Sequence, residues 1–364
     1  MEFDSLLKLM LDKKASDLFI TRGVPPSLKI NGKIMPVGKV PLSGRQAREL
    51  VEAVMDDQQR AEFHAHHELN FAITSEHVEH ARFRVSAFYQ RNDVGMVLRL
   101  IETRIPTVEE LLLPPILDEL VMTKRGIIFL VGATGTGKST TLAAMVDRIN
   151  SERYDHIITV EDPIEYLHGH KKCLINQREV NADTTSFRAA LRYVLRQDPD
   201  VVLIGEMRDL ETIEAALTVA ETGHLTLATL HTNSAVQTIN RVIDVFPPHQ
   251  QEQIRVQLSF VLEGILAQQL IPKKTGKGRV LAIELLIPNP AIRNLIREDK
   301  IHQIYGMMQT GQAKFGMQTM NQSLIELYSK GHLSYEDAIG RSPVPEELIT
   351  MLQRLTNAPS GRGR

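Results

Sequence analysis

A chain of 364 residues exceeds one average domain, and 43% apolar with 24% charged residues suits a folded protein with a sizeable core. The formal net charge of -2 gives no general attraction for nucleic acid or an anionic membrane. The single cysteine, Cys173, excludes an internal disulfide and a multi-cysteine zinc site, and reads as a small half-buried apolar residue.

The opening MEFDSLLKLMLDKK is too polar for a signal peptide. The longest stretch free of Asp, Glu, Lys and Arg, Thr222 to Asn240, holds two histidines, two asparagines and five threonines, which a bilayer would reject. A cytoplasmic protein that reaches a membrane only through partners is expected.

Residues 1–104 read as a small α+β unit. Phe3, Leu6, Leu7, Met10 and Leu11 have helical spacing. Ser27–Ile30 and Lys33–Met35 flank Asn31-Gly32, a strong hairpin signal. Two further strands, 82–89 and 94–101, are joined through Arg91-Asn92-Asp93; their alternation puts Arg82 and Arg84 on one face, and Phe83 and Val85 on the other. Pro106, Pro114 and Pro115 mark 105–118 as an interdomain linker. From 119 to 356 short apolar strands alternate with amphipathic helices, the pattern of a largely parallel sheet. Residues 357–364, rich in Gly, Pro, Ser and Arg, read as a disordered tail.

The strongest motif is Gly132-Ala133-Thr134-Gly135-Thr136-Gly137-Lys138-Ser139, followed by Thr140, a complete G-x-x-x-x-G-K-[ST] phosphate loop between an apolar strand and an amphipathic helix. Its glycines let successive N–H groups face a phosphate, and the helix adds its positive end. Lys138 would neutralise the β- and γ-phosphates of ATP, and the Ser139 hydroxyl would complete a Mg2+ shell. Three more apolar strands end in polar residues: Val160 before Glu161, Asp162 and Glu165; Ile204 before Gly205-Glu206; Leu230 before His231. Ligands of open α/β sheets lie beyond such carboxyl ends. Glu206 takes the place of the carboxylate that holds the metal through water, after an intervening glycine. Glu165 is the candidate for polarising water, with Glu161 and Asp162 as supporting or competing carboxylates. His224 and His231 are either structural or sense the γ-phosphate through a neutral imidazole.

With GATGTGKST, VEDPIEY, LIGEMRDLETI and ETGHLTLATLHTNSA in this order, the chain resembles, from Phe3 to about Leu355, the secretion-ATPase superfamily that drives type II secretion and type IV pili. The resemblance implies an α/β fold: a RecA-like P-loop ATPase domain behind a smaller N-terminal α+β, PAS-like domain. It implies a homohexamer using ATP and Mg2+, coupled to an inner-membrane pilus platform protein, with a paralogous retraction ATPase as a further candidate partner and no nucleic acid. Arg82, Arg84 and Arg99, solvated on bottom-up grounds, would approach the γ-phosphate in such a family. The lack of a tetracysteine element and the segment Ala291–Glu298 resemble the branch that retracts pili. Asn289 and Pro290 suit a helix start there, with Arg293 and Arg297 on one face and Ile292, Leu295 and Ile296 on the buried side. The rivals are an assembly or secretion ATPase, a nucleic-acid translocase, and a nucleotide-responsive binding module.

Overall fold

In the computed structural model, which describes residues 3–30, 32–75, 81–101, 104–311 and 315–357, the chain divides into two units. The first holds residues 1–104 with 165–167, and the second holds 105–164 with 168–364.

The first unit is built on the alternation read from its sequence. Strands β1 (Asp17–Thr21), β2 (Ser27–Ile30), β3 (Lys33–Pro36), β4 (Glu68–Thr74), β5 (Arg82–Gln90) and β6 (Asp93–Ile101) pair antiparallel in the order β3-β2-β1-β6-β5-β4. Arg91 and Asn92 both have positive φ, +48° and +65°, so β5 and β6 are closed by a turn whose twist matches that of the strands. Asn31, in the other expected hairpin turn, lies outside the described residues; its strands pair Ile30 with Lys33. Helices α1 (Phe3–Asp12), α2 (Gly44–Glu52) and α3 (Asp57–His66) accompany this sheet. Leu6, Leu7 and Met10 of α1 join Phe83, Val85 and Leu98 in one buried cluster.

The second unit is a parallel sheet buried on both faces. Strands β7 (Gly126–Val131), β8 (His156–Glu161), β9 (Leu174–Glu179), β10 (Val201–Ile204), β11 (Leu225–Leu230), β12 (Leu262–Pro272) and β13 (Arg279–Leu286) lie in the order β13-β12-β7-β11-β10-β8-β9. Only β13 runs antiparallel to its neighbour. Ile127, Phe129 and Val131 of β7 enter one hydrophobic cluster, while Ile128 and Leu130 enter the other, so continuous apolar runs are what these strands require. The helices are α4 (Ile116–Val121), α5 (Lys138–Glu152), α6 (Phe187–Val194), α7 (Leu210–Glu221), α8 (Ala235–Asp244), α9 (Pro248–Val261), α10 (Pro290–Arg297), α11 (Ile304–Thr310), α12 (Met320–Ser329), α13 (Tyr335–Arg341) and α14 (Pro345–Asn357). Leu324, Ala338 and Leu348 of the last three meet Ile271, Val280 and Ala282 of β12 and β13.

Residues 105–118 differ from the linker expected of them. Val108, Leu113 and Leu117 are buried in the core of the second unit, and α4 starts at Ile116. Prolines break regular structure but do not prevent burial of the apolar residues between them. Cys173 is fully rather than half buried, and its S–H faces the Arg153 carbonyl oxygen at 3.1 Å. Residues 358–364 of the expected tail lie outside the described residues.

Candidate active site

The phosphate loop leaves the carboxyl end of the interior strand β7 and runs into α5, which starts at Lys138. Its geometry demands glycine at position 132: φ is +145°, and a Cβ would stand 2.6 Å from the Gln268 carbonyl oxygen and 2.7 Å from Thr136 Oγ1. Thr136 Oγ1 donates to the Ala133 carbonyl at 2.9 Å. Lys138 Nζ donates to the carbonyls of Gly132 at 2.7 Å and Ala133 at 3.0 Å, which brings its ammonium over the loop. Ala133, Thr134 and Gly135 are exposed, whereas Ser139 and Thr140 are half-buried in the first turn of α5. Behind that turn, buried Gln268 of β12 donates to Thr141 Oγ1 at 2.8 Å.

Glu206 and His231 follow β10 and β11, which are adjacent to each other and run parallel to β7, with β11 beside it. The carboxylate is held on two sides. His231 Nε2 is 2.7 Å from Oε1, and Arg208 forks onto both oxygens, Nε to Oε1 at 2.6 Å and Nη2 to Oε2 at 2.6 Å. Burial opposes ionisation of Glu206, but Arg208 and His231 outweigh it and hold the carboxyl below its usual range. The glycine before Glu206 has a steric reason: a Cβ on Gly205 would lie 3.2 Å from both Glu161 Cα and the Val160 carbonyl oxygen. Thr229 Oγ1 donates to the Gly205 carbonyl at 2.5 Å, tying the end of β10 to β11.

The other carboxylates divide. Glu161 is half-buried and turned along the sheet, accepting from Thr159 Oγ1 at 2.7 Å and Gln177 Nε2 at 3.2 Å. Asp162 and Glu165 are exposed. The backbone just before Glu165 is anchored, because the Ile164 N–H donates to buried Glu179 at 3.1 Å.

His224 lies apart from these residues. It precedes β11, whereas His231 follows it, so a strand six residues long, roughly 20 Å at ~3.3 Å per residue, separates them. At that amino end His224 Nδ1 meets the Val219 carbonyl at 3.0 Å and Thr222 Oγ1 at 3.1 Å, closing the turn after α7. Two histidines seven apart look equivalent in sequence; the intervening strand makes them opposite ends of one element.

In the first unit, Arg84 stands opposite Arg99 in the β5–β6 register, and Arg99 stands opposite Asp17 of β1. Arg99 Nε donates to Asp17 at 2.9 Å, so the 4% exposed carboxylate of Asp17 offsets repulsion between the two arginines. Arg82 is half-buried and Arg84 exposed.

Sequence reasoning missed Arg208. The signal was present: a basic residue stands two positions after Glu206, close enough in the chain to pair with it. It also missed a cavity of ≈ 940 Å³ that begins at Thr136, Gly137 and Thr140 and extends to Arg279, Glu326 and Lys330. Its walls come from elements distant in sequence, which no local pattern announces.

Residues 3–307 match the family model described as type II/IV secretion system protein. The chain is 53% identical to the type IV pilus ATPase PilU of Pseudomonas aeruginosa, over 97% of this chain and 92% of that one. It is 47% identical to the pilus retraction ATPase PilT of the same organism, over 95% and 99%. Among solved structures, that of the pilus retraction motor PilT with bound ADP superimposes with a TM-score of 0.91 at 48% identity, covering 96% of this chain and 100% of the other. The chain therefore belongs to the type II/IV secretion system protein family, as a PilT/PilU-type ATPase.

Proposed function

We propose that this chain is the subunit of a cytoplasmic homohexameric motor that hydrolyses Mg-ATP to power type IV pilus retraction, acting on an inner-membrane platform protein. The observation that carries this reading is the Lys138 loop at the end of β7, on the same strand edge as the Arg208–Glu206–His231 cluster. A loop alone binds; a loop beside a fixed carboxylate and imidazole has the parts for hydrolysis.

The residues divide the work as follows. Backbone N–H groups from Gly132 to Thr140 and the start of α5 hold the phosphates, and Lys138 exchanges its carbonyl partners for phosphate oxygens. The Ser139 hydroxyl and the Glu206 carboxylate are hard oxygen donors and would hold a Mg2+ ion that keeps several waters. When bound, that ion neutralises phosphate charge. Glu165 takes the proton of the attacking water as its oxygen bonds the γ-phosphorus; the bond to the bridging oxygen breaks, and ADP leaves with that electron pair. Glu161 and Asp162 sustain the negative field around this step, His231 hydrogen-bonds the γ-phosphate, and Arg82, Arg84 or Arg99 offsets the charge of the transition state. His224 has no part in hydrolysis in this scheme, since it closes a turn at the far end of β11. The cavity beside Thr140 takes the nucleoside.

A second reading, an accessory motor working with a paralogous retraction ATPase, is favoured by the likeness to two pilus ATPases of one organism, 53% to PilU and 47% to PilT, of which only PilT is named for retraction. The deciding experiment counts surface pili and scores twitching in a strain lacking this chain. Abundant pili on non-motile cells that a Lys138→Ala copy fails to rescue are expected. Normal pili and motility would select the accessory reading, and bald cells would overturn retraction altogether.

A further inference from the structure

Glu284, in β13, is a carboxylate placed where solvation cannot support it. It is 2% exposed, and burial pushes its carboxyl up while N–H donors at Ala235 and Met320 pull it back. The Ala235 N–H reaches it at 2.7 Å. Both donors are the first residues of helices: Ala235 opens α8 behind Ser234, and Met320 opens α12 behind Thr319. Helix starts carry unmet N–H groups and a positive dipole end, so one acid closes two of them at once.

The two helices connect to two different parts of the proposed nucleotide site. Residues 231–234 are laced onto α8: Thr232 Oγ1 meets Thr238 Oγ1 at 2.7 Å, and the Asn233 N–H donates to Gln237 Oε1 at 3.2 Å. The position of α8 thus sets His231 and, through it, one side of Glu206. Elsewhere, α12 contributes Ser323 and Glu326, and Lys330 at its C-cap, to the wall of the cavity that begins at Thr140. It is held to β13 by the Ile283 N–H donating to Ser323 Oγ at 3.0 Å.

We infer that Glu284 is a positioning residue that couples these two parts of the nucleotide site, setting His231 through α8 and the nucleoside wall through α12. This rests on the assignments of His231 to hydrolysis and of the cavity to the nucleoside made above. Removing the acceptor frees both helix starts, so it loosens catalysis and nucleotide affinity together, by separate routes.

The test uses the full chain as wild type, Glu284→Met, His231→Ala and the double variant, measuring ATP turnover with kcat and KM resolved. Methionine keeps the length of the side chain and offers no carboxylate. The expected result is a fall in kcat of about tenfold to a hundredfold, the scale of a small misplacement of a catalytic group, with a raised KM. In the His231→Ala background Glu284→Met should still raise KM but leave kcat unchanged, because the route to kcat is already lost. Effects on kcat that multiply in the double variant, or a lowered melting temperature with normal kinetics, would overturn the inference. Normal turnover in His231→Ala alone would instead overturn the reading of His231, and the KM of Glu284→Met would decide the remaining arm. Should Glu284→Met fail to fold, Ala235→Pro removes one donor at a helix position that suits proline. It should lower kcat and spare KM; an unchanged kcat would refute the route through α8.

Discussion

Glu206 carries three close contacts on two oxygens, and this shapes what a substitution there does. Glu206→Gln keeps an oxygen for His231 but turns an amide NH2 toward the Arg208 fork, so the pair opens while the fold keeps its shape. ATP should still bind, since Lys138 and the loop are intact. Turnover should drop by about a hundredfold or more, the range of a lost acid-base or water-orienting group. A fluorescent ATP analogue and a phosphate-release assay measure the two separately, and near-normal release would remove Glu206 from the chemistry. His168 gives a second residue-scale prediction. Burial lowers its pKa to about 4, Asp147 pulls the other way, and its Nδ1 is shut from solvent without a hydrogen-bond partner. The folded pKa lies below the free value, so the unfolded chain takes the proton first, and stability falls as pH drops from about 6.5 toward about 4. At ~1.4 kcal/mol per unit this is at most about 3.5 kcal/mol. His168→Gln should show a smaller loss of melting temperature between pH 7 and 4.5 than wild type, and equal losses would refute it.

At the scale of elements, α10 shows how a correct pattern can hide its partner. Ile292 and Ile296 are buried as their spacing requires, and Asn289 caps the start through the Ile292 N–H at 2.9 Å. The exposed-looking face does something else. Arg293 donates to the carbonyls of Ser259 at 2.8 Å and Phe260 at 3.1 Å, and pairs with Glu263 at 3.2 Å, where α9 runs straight into β12. Arg297 sits over the Phe260 ring. Arg293→Ala leaves two helix-end carbonyls unmet and Glu263, whose carboxyl burial already raises, without its counter-ion. A stability loss of about 2 kcal/mol is expected from chemical denaturation, with Arg293→Lys recovering part because an ammonium cannot fork. No loss in either variant would make this face an ordinary solvated one. The same logic explains what the sequence disclosed. Strands β7, β8, β10 and β11 were legible within a residue because a strand buried on both faces must be a continuous apolar run. The phosphate loop was legible because its backbone geometry admits few residue types. Partners made of backbone carbonyls, such as those of Arg293, leave no residue pattern to read. Nor did β12, which follows α9 with no glycine or proline at the boundary.

For the whole molecule, the phosphate loop, the Glu206 cluster and the cavity belong to one unit, while Arg82, Arg84 and Arg99 belong to the other. If the proposed mechanism holds, nucleotide binding is a property of the second unit and fast turnover is a property of the whole chain. Arg84 and Arg99 separate the two possibilities because their local duties differ. Arg99 holds the buried carboxylate of Asp17, so Arg99→Ala strands that charge and should cost about 1–3 kcal/mol of stability whatever its role in catalysis. Arg84 is exposed on its strand, so Arg84→Ala should leave the melting temperature within about a degree or two. If Arg84 offsets transition-state charge, its loss should lower kcat by about a thousandfold with ATP affinity little changed, the signature of an interaction made only in the transition state. Wild-type kcat in Arg84→Ala would assign that duty to Arg82 or Arg99, and the kcat of Arg99→Ala, measured well below its lowered melting temperature, would then choose between them.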